Sequence, residues 1–158
     1  MAAAKGRPLA AVTGGARGIG AAYVTTLLSR GCRVAIFDID GAEAAAAAAA
    51  HAAASTEAVV AGFTCDVGDA ASFRAAFDRA LTHFAAPGYS VFVCNAGVVA
   101  PFFADAQRQV QINLIGAILG VEMAIKHATS AMTHRADPPL RIVVTSSTNG
   151  LVPVCGRM

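Results

Sequence analysis

Residues 8–20 read Pro8-Leu9-Ala10-Ala11-Val12-Thr13-Gly14-Gly15-Ala16-Arg17-Gly18-Ile19-Gly20. The first half is an apolar run of the length of a buried strand. The second half is a glycine-rich turn. From Gly18 to Arg30 the pattern is helical, and Gly31 follows, a residue suited to the end of a helix. A strand that passes through glycines into a helix leaves the helix N-terminus open. Its unpaired N–H groups and partial positive charge suit an anion such as phosphate. No Lys-Ser/Thr pair follows the glycines, so the turn is not a P-loop. The spacing Gly14, Gly18, Gly20 also differs from the common GxGxxG.

The same alternation continues outward. Pro8 to Thr13 is the first strand, Arg33 to Phe37 the second, closed by Asp38, and Ala58 to Cys65 the third. Ser90 to Cys94 and Leu140 to Thr145 are the fourth and fifth. Between them lie helical stretches. Gly41 to Ala54 is an alanine tract, and alanine has the highest helix propensity. Asp69 is placed to cap a helix over Ala70 to Phe84, with Phe73, Phe77, Leu81 and Phe84 on one side. These phenylalanines read as core. Asp105 to about Thr133 reads as one long helix, with Val110, Leu114, Ile118, Val121 and Ile125 on an apolar stripe. Pro138-Pro139 marks a turn. Strands alternating with helices imply βαβ units and a parallel sheet. The strands are apolar on both parities, as strands covered on both faces should be. The expected fold is therefore α/β, a Rossmann-like doubly wound parallel sheet of about five strands, with its ligand at their carboxyl ends. Residues 1–158 read as one domain.

Composition narrows the function. The chain has 158 residues, 56% hydrophobic and 14% charged, with net charge +2. That excludes intrinsic disorder, and the scattered charge gives no nucleic-acid surface. No run approaches the ~20 apolar residues of a membrane span. The N-terminal residues do not form a targeting peptide, so cytoplasmic residence is the expectation. Cys32, Cys65, Cys94 and Cys155 show no CxxC spacing and read as buried thiols in a reducing compartment. His51, His83, His127 and His134 lie far apart without carboxylate clusters, and no metal site is expected.

Asp38 ends the second strand, 18 residues after Gly20. A carboxylate there can accept hydrogen bonds from adenosine ribose hydroxyls and would repel a 2′-phosphate, which favours NAD over NADP. Arg17 pulls the other way, because a cation in the phosphate loop could hold that extra phosphate.

The residues now resemble the short-chain dehydrogenase/reductase family, from Leu9 onward. Thr13-Gly14-Gly15-Ala16-Arg17-Gly18-Ile19-Gly20 is similar to the family's TGxxxGxG cofactor loop. Cys65-Asp66-Val67 matches its acidic-Val pair, which holds the adenine. Asn95-Ala96-Gly97 matches its NAG motif, which stabilises the sheet and lines the cofactor. Asn113, in Gln111-Ile112-Asn113-Leu114, matches the asparagine of the Asn-Ser-Tyr-Lys tetrad. Ile142 to Ser147, followed by Gly150-Leu151, resembles the strand-five serine motif. By register Ser147 is the catalytic serine, with Ser146 as the alternative. The short gap between Asn95 and Asn113, with QINL and GLVPV, looks most like the branch containing 15-hydroxyprostaglandin dehydrogenase.

The resemblance implies cofactor contacts at Thr13, Gly14, Arg17, Gly18, Ile19, Gly20, Asp38, Ile39, Asp66, Val67, Asn95, Ala96 and Gly97. It implies catalytic roles for Ser147 and Asn113. The cofactor would be NAD and the substrate a small-molecule alcohol or carbonyl, with no nucleic-acid or membrane partner. A homo-oligomer would form through the 105–133 helix.

Three positions depart from the family pattern. Cys94 stands where many members have an asparagine, and Ser90 where many have an acidic residue. The family's Tyr-x-x-x-Lys is due just past Met158, and Tyr23 and Tyr89 are the only tyrosines. The expectation is thus a C-terminally truncated family member, lacking the last strands and leaving strand five as an exposed apolar edge. Two readings follow: an NAD-dependent oxidoreductase impaired in this chain, or a non-catalytic dinucleotide-binding module or regulatory fragment.

Overall fold

A computed structural model describes residues 6–99, 105–130 and 139–147. Strands β1 (Leu9–Thr13), β2 (Arg33–Asp38), β3 (Val60–Thr64), β4 (Val91–Cys94) and β5 (Arg141–Val144) form a single sheet. Its order is β3-β2-β1-β4-β5, and every pairing is parallel. The chain builds outward from β1 to β3, then returns to the far side of β1 with β4. The order therefore reverses between β1 and β4, which opens a crevice at their carboxyl ends.

Alternate residues of each strand point to opposite faces. Leu9, Ala11, Phe37 and Phe92 face one layer, where α3 (Ala70–His83) supplies Phe73 and Phe77. Phe37 meets Phe73 edge-on at 6.4 Å between ring centroids, and Phe77 lies 5.7 Å from Phe92. Ala10, Val12, Val34, Ile36 and Val93 face the other layer, against Val24 of α1 (Gly18–Ser29) and Ala44 and Ala48 of α2 (Gly41–Ala54). The four residues expected on the core side of α3 are all buried, and Asp69 caps it, its Oδ1 accepting from Ala71 N at 2.8 Å and Ser72 N at 3.1 Å.

Within the alanine tract only Ala44 and Ala48 are buried, and Ala44 has a packing reason. A Cβ at Gly62 of β3 would lie 2.4 Å from the carbonyl carbon of Ala44. The backbones of α2 and β3 are that close, so only small side chains fit between them.

The long helix differs from the expected regular rod. It is divided into α4 (Ala106–Val110), a π-helical stretch over Gln111–Gly116, and α5 (Ala117–Ser130). Its expected end near Thr133 lies outside the described residues, as do Pro138, Gly150-Leu151 and Cys155. The helix buries Ile112, Gly116, Gly120, Met123 and Ala124. Its apolar stripe faces the other way, with Val110, Leu114, Ile118 and Ile125 between 47% and 54% exposed. Among the described residues β5 is the sheet edge beside β4, and Val143 and Val144 are exposed there.

Candidate functional site

The glycine turn leaves β1 at the crevice. Gly18 has φ +57°, a conformation that glycine adopts without strain, and a side chain there would meet open space. Gly20 permits a close approach: its Cβ would fall 1.9 Å from the Gly14 carbonyl oxygen. The first turn of α1 has no side-chain cap and no acidic residue. Its positive end therefore faces the crevice uncompensated by a side chain, a cradle that fits a phosphate.

Thr13 and Asn95 join the two strands that flank the crevice. The Thr13 hydroxyl oxygen accepts from Asn95 N at 2.9 Å and Ala96 N at 3.0 Å. It donates in turn to the Val93 carbonyl at 3.4 Å. The Asn95 amide donates to the carbonyls of Thr13 and Gly14 at 3.1 and 3.2 Å. Its Oδ1 accepts from the Thr145 hydroxyl at 3.2 Å. One asparagine thus pins the glycine turn, the β4 end and the β5 end together.

Asp38 is 7% exposed at the end of β2. Its Oδ2 accepts from Ala16 N at 3.2 Å and its Oδ1 from Asp40 N at 3.3 Å. Each carboxylate oxygen retains acceptor capacity toward the cleft. Asp66 accepts from Gly68 N at 2.8 Å and from Arg108 Nη2 at 2.9 Å. Arg17 is exposed and lies 3.3 Å from Glu43 Oε2.

A cleft of about 570 Å³ runs from Gly14, Asp38 and Ile39 past Asp66 and Val67 to Asn95–Gly97. Thr13, Gly18 and Gly20 do not line it; they shape the turn behind it. A second, more apolar hollow of about 900 Å³ continues from Ile19 and Asn95–Val98 to Asn113, Ser146 and Ser147. Both serines are exposed. The structure therefore brings the two groups of expected residues to adjoining parts of one crevice.

Several contributing residues lie outside the expected contacts. Arg108, Asp105 and Gln109 line the first cleft, and Gln111 Nε2 donates to the Gly68 carbonyl at 3.0 Å. Thr145 was findable: parallel register sets Cys94 beside Val144, so Asn95 and Thr145 follow side by side. No spacing rule joins Arg108 to Asp66.

The thiols of Cys65, which lines the cleft, and of Cys94 are buried. Burial pushes Cys65 up to about 12 and Cys94 up to about 11. Tyr89, whose hydroxyl donates to the Phe77 carbonyl at 2.9 Å, is also raised by burial and lies in the core, away from the cleft. Among the described residues no cluster of His, Cys, Asp or Glu could hold a metal, and no helix is long and apolar enough to cross a membrane.

The sequence profile of the short chain dehydrogenases matches residues 8–158. This chain belongs to that family. The short chain dehydrogenases are oxidoreductases that bind nicotinamide dinucleotides. D-threitol dehydrogenase of Mycolicibacterium smegmatis is 39% identical over 119 residues, covering 70% of this chain and 44% of that protein. The 3-alpha-(or 20-beta)-hydroxysteroid dehydrogenase of Mycobacterium tuberculosis is 35% identical over 124 residues, covering 75% and 45%. A solved chain from Novosphingobium aromaticivorans, assigned to the short-chain dehydrogenases, superposes with TM-score 0.82 at 28% identity. The superposition covers 94% of this chain and 55% of that one. This short chain dehydrogenase spans 44% and 45% of the two relatives' own lengths.

Proposed function

We propose that the chain binds NAD in the cleft at the ends of β1 and β4, as part of an oxidoreductase acting on a secondary alcohol or the matching carbonyl. The carrying observation is Asp38, buried at the end of β2 with its carboxylate fastened to the glycine turn and spare acceptor sites toward the cleft. That placement suits adenosine ribose hydroxyls and disfavours a 2′-phosphate. The α1 N-terminus, with Gly14, Gly18 and Gly20, would hold the pyrophosphate. Ile39, Asp66 and Val67 would border the adenine, and Asn95–Gly97 the nicotinamide half.

NAD supplies a hydride acceptor, so a carbinol carbon can lose hydride while its oxygen loses a proton. Ser147, with Ser146 as the alternative, would donate a hydrogen bond to that oxygen. Asn113 lines the same hollow and would hold a water in a proton path. No Tyr-x-x-x-Lys occurs among the 158 residues. Acting alone, Ser147 and Asn113 orient a substrate oxygen without a side chain to exchange its proton, a contribution of about 10² to 10⁴-fold. We therefore expect cofactor binding and little turnover from these residues by themselves. The names of the two relatives, both alcohol dehydrogenases in the broad sense, support the substrate class. Leu114 and Ile118 line the same hollow as Ser147, so they would face the substrate, while exposed Val110 on this helix supports a homo-oligomer; we further propose cytoplasmic residence.

Amide chemical-shift mapping with NADH tests the placement. Shifts should concentrate at the glycine turn, Asp38–Ile39, Asp66–Val67 and Asn95–Gly97. Shifts clustered elsewhere, or none, would overturn it.

A further inference from the structure

The first turn of α2 contains a hydrogen-bonding exchange that bears on the choice between NAD and NADP. Asp40 is the N-cap, and its Oδ1 accepts from Glu43 N at 3.0 Å. Asp40-Gly41-Ala42-Glu43 thus has the spacing of a capping box, in which the glutamate side chain usually reaches back to the N-cap backbone N–H. Here that N–H is already taken: Asp40 N donates to Asp38 Oδ1 at 3.3 Å. With its usual partner occupied, the Glu43 carboxylate reaches instead to Arg17, the cation of the glycine turn, 3.3 Å away.

We propose that Glu43 is a specificity-determining residue that acts through Arg17. An adenosine 2′-phosphate would need a cation beside the Asp38 end of the cleft, and Arg17 is the guanidinium of the turn that faces it. Glu43 competes for that guanidinium, so a 2′-phosphate must displace one carboxylate while facing another, Asp38. The four residues form a relay: Asp38 occupies the Asp40 N–H, which releases Glu43, which engages Arg17. The selection against NADP implied by Asp38 is thereby doubled by a residue outside the glycine motif. This inference rests on reading the cleft as a dinucleotide site.

The test is the ratio of NADPH to NADH dissociation constants, measured calorimetrically on the full chain. Loss of structure weakens both cofactors, whereas the proposed role moves the ratio. Glu43→Gln should shift the ratio toward NADPH by about two- to fivefold, the range expected for an exposed ion pair. In an Arg17→Ala background the same substitution should leave the ratio in place. In an Asp38→Ser background it should also have little further effect, because Glu43 can then return to the Asp40 N–H. Glu43→Ala serves as a second variant, with the thermal transition recorded for each. An equal shift with and without Arg17 would mean that the Glu43 charge acts directly, and would overturn the relay. No shift in either variant would overturn it as well. If the unmodified chain binds neither cofactor, the dinucleotide reading itself fails, an outcome distinct from NADH binding with an unmoved ratio.

Discussion

Asn113 grips Val98 by both of its backbone polar groups: Oδ1 accepts from Val98 N at 2.8 Å, and Nδ2 donates to the Val98 carbonyl at 2.8 Å. The π-helical stretch is thereby tied to the segment that follows Asn95–Gly97. The amide is suited to this double grip because it offers one acceptor and one donor side by side. Asn113→Ala should lower stability by about 1–3 kcal/mol, two hydrogen bonds at a net ~0.5–1.5 kcal/mol each. Asn113→Asp should be no milder, since it sets an oxygen against the Val98 carbonyl. Urea unfolding measures both, and a wild-type midpoint for Asn113→Asp would refute the grip as a stabilising feature.

Thr13 is buried and its hydroxyl serves Asn95 N, Ala96 N and the Val93 carbonyl together. Thr13→Val preserves shape and strands these groups. The expected loss is about 2–5 kcal/mol, from buried donors left unpaired. Thr13→Ser keeps the hydroxyl and should retain most of the stability. Thermal melts of the two variants decide the matter; equal melting temperatures would show that the hydroxyl contributes nothing.

The buried thiols predict a pH dependence. Cys65 and Cys94 are raised from an ordinary value of 9.0 to about 12 and about 11, mainly by desolvation. Below pH 9 both states hold neutral thiols and the effect is silent. As pH rises above 9 the unfolded chain loses protons that the folded chain keeps, so stability falls through the window from 9 to about 12. The denaturation midpoint should be level between pH 7 and 8.5 and drop steadily at alkaline pH. Cys65 and Cys94 should also react slowly with a thiol reagent at pH 8 in the folded protein and rapidly once it is unfolded. Fast labelling of either in the folded state would contradict their burial.

The strands were legible because each is a short apolar run, a local signal. Leu9 and Ala11 alternate with Ala10 and Val12, and the two sets enter separate clusters on opposite faces. Asp38, Asp66 and Asn95 were legible because each follows a strand, and parallel strands bring their carboxyl ends together. What escaped the sequence depends on distance in the chain. Arg108 reaches Asp66 across 42 positions, and Arg17 of the glycine turn meets Glu43 on the first turn of α2 while Asp38 holds the capping N–H. The π-helical stretch was also hidden. Val110, Leu114 and Ile118 repeat with regular helical spacing, yet the core is served by Ile112, Gly116 and Gly120. An apolar stripe marks a face to be covered, not which neighbour covers it, and here that face is outward.

The central claim is that this crevice binds NAD through the glycine turn and Asp38. Titration with NADH, followed by the fluorescence of the reduced nicotinamide, tests it most directly, and the chain has no tryptophan to interfere. The account predicts saturable one-to-one binding, tighter for NADH than for NADPH. Gly20→Ala should weaken it by about tenfold or more, roughly 1.4 kcal/mol, because its Cβ would collide with the Gly14 carbonyl 1.9 Å away. Absence of saturable NADH binding, or binding indifferent to Gly20→Ala, would contradict it.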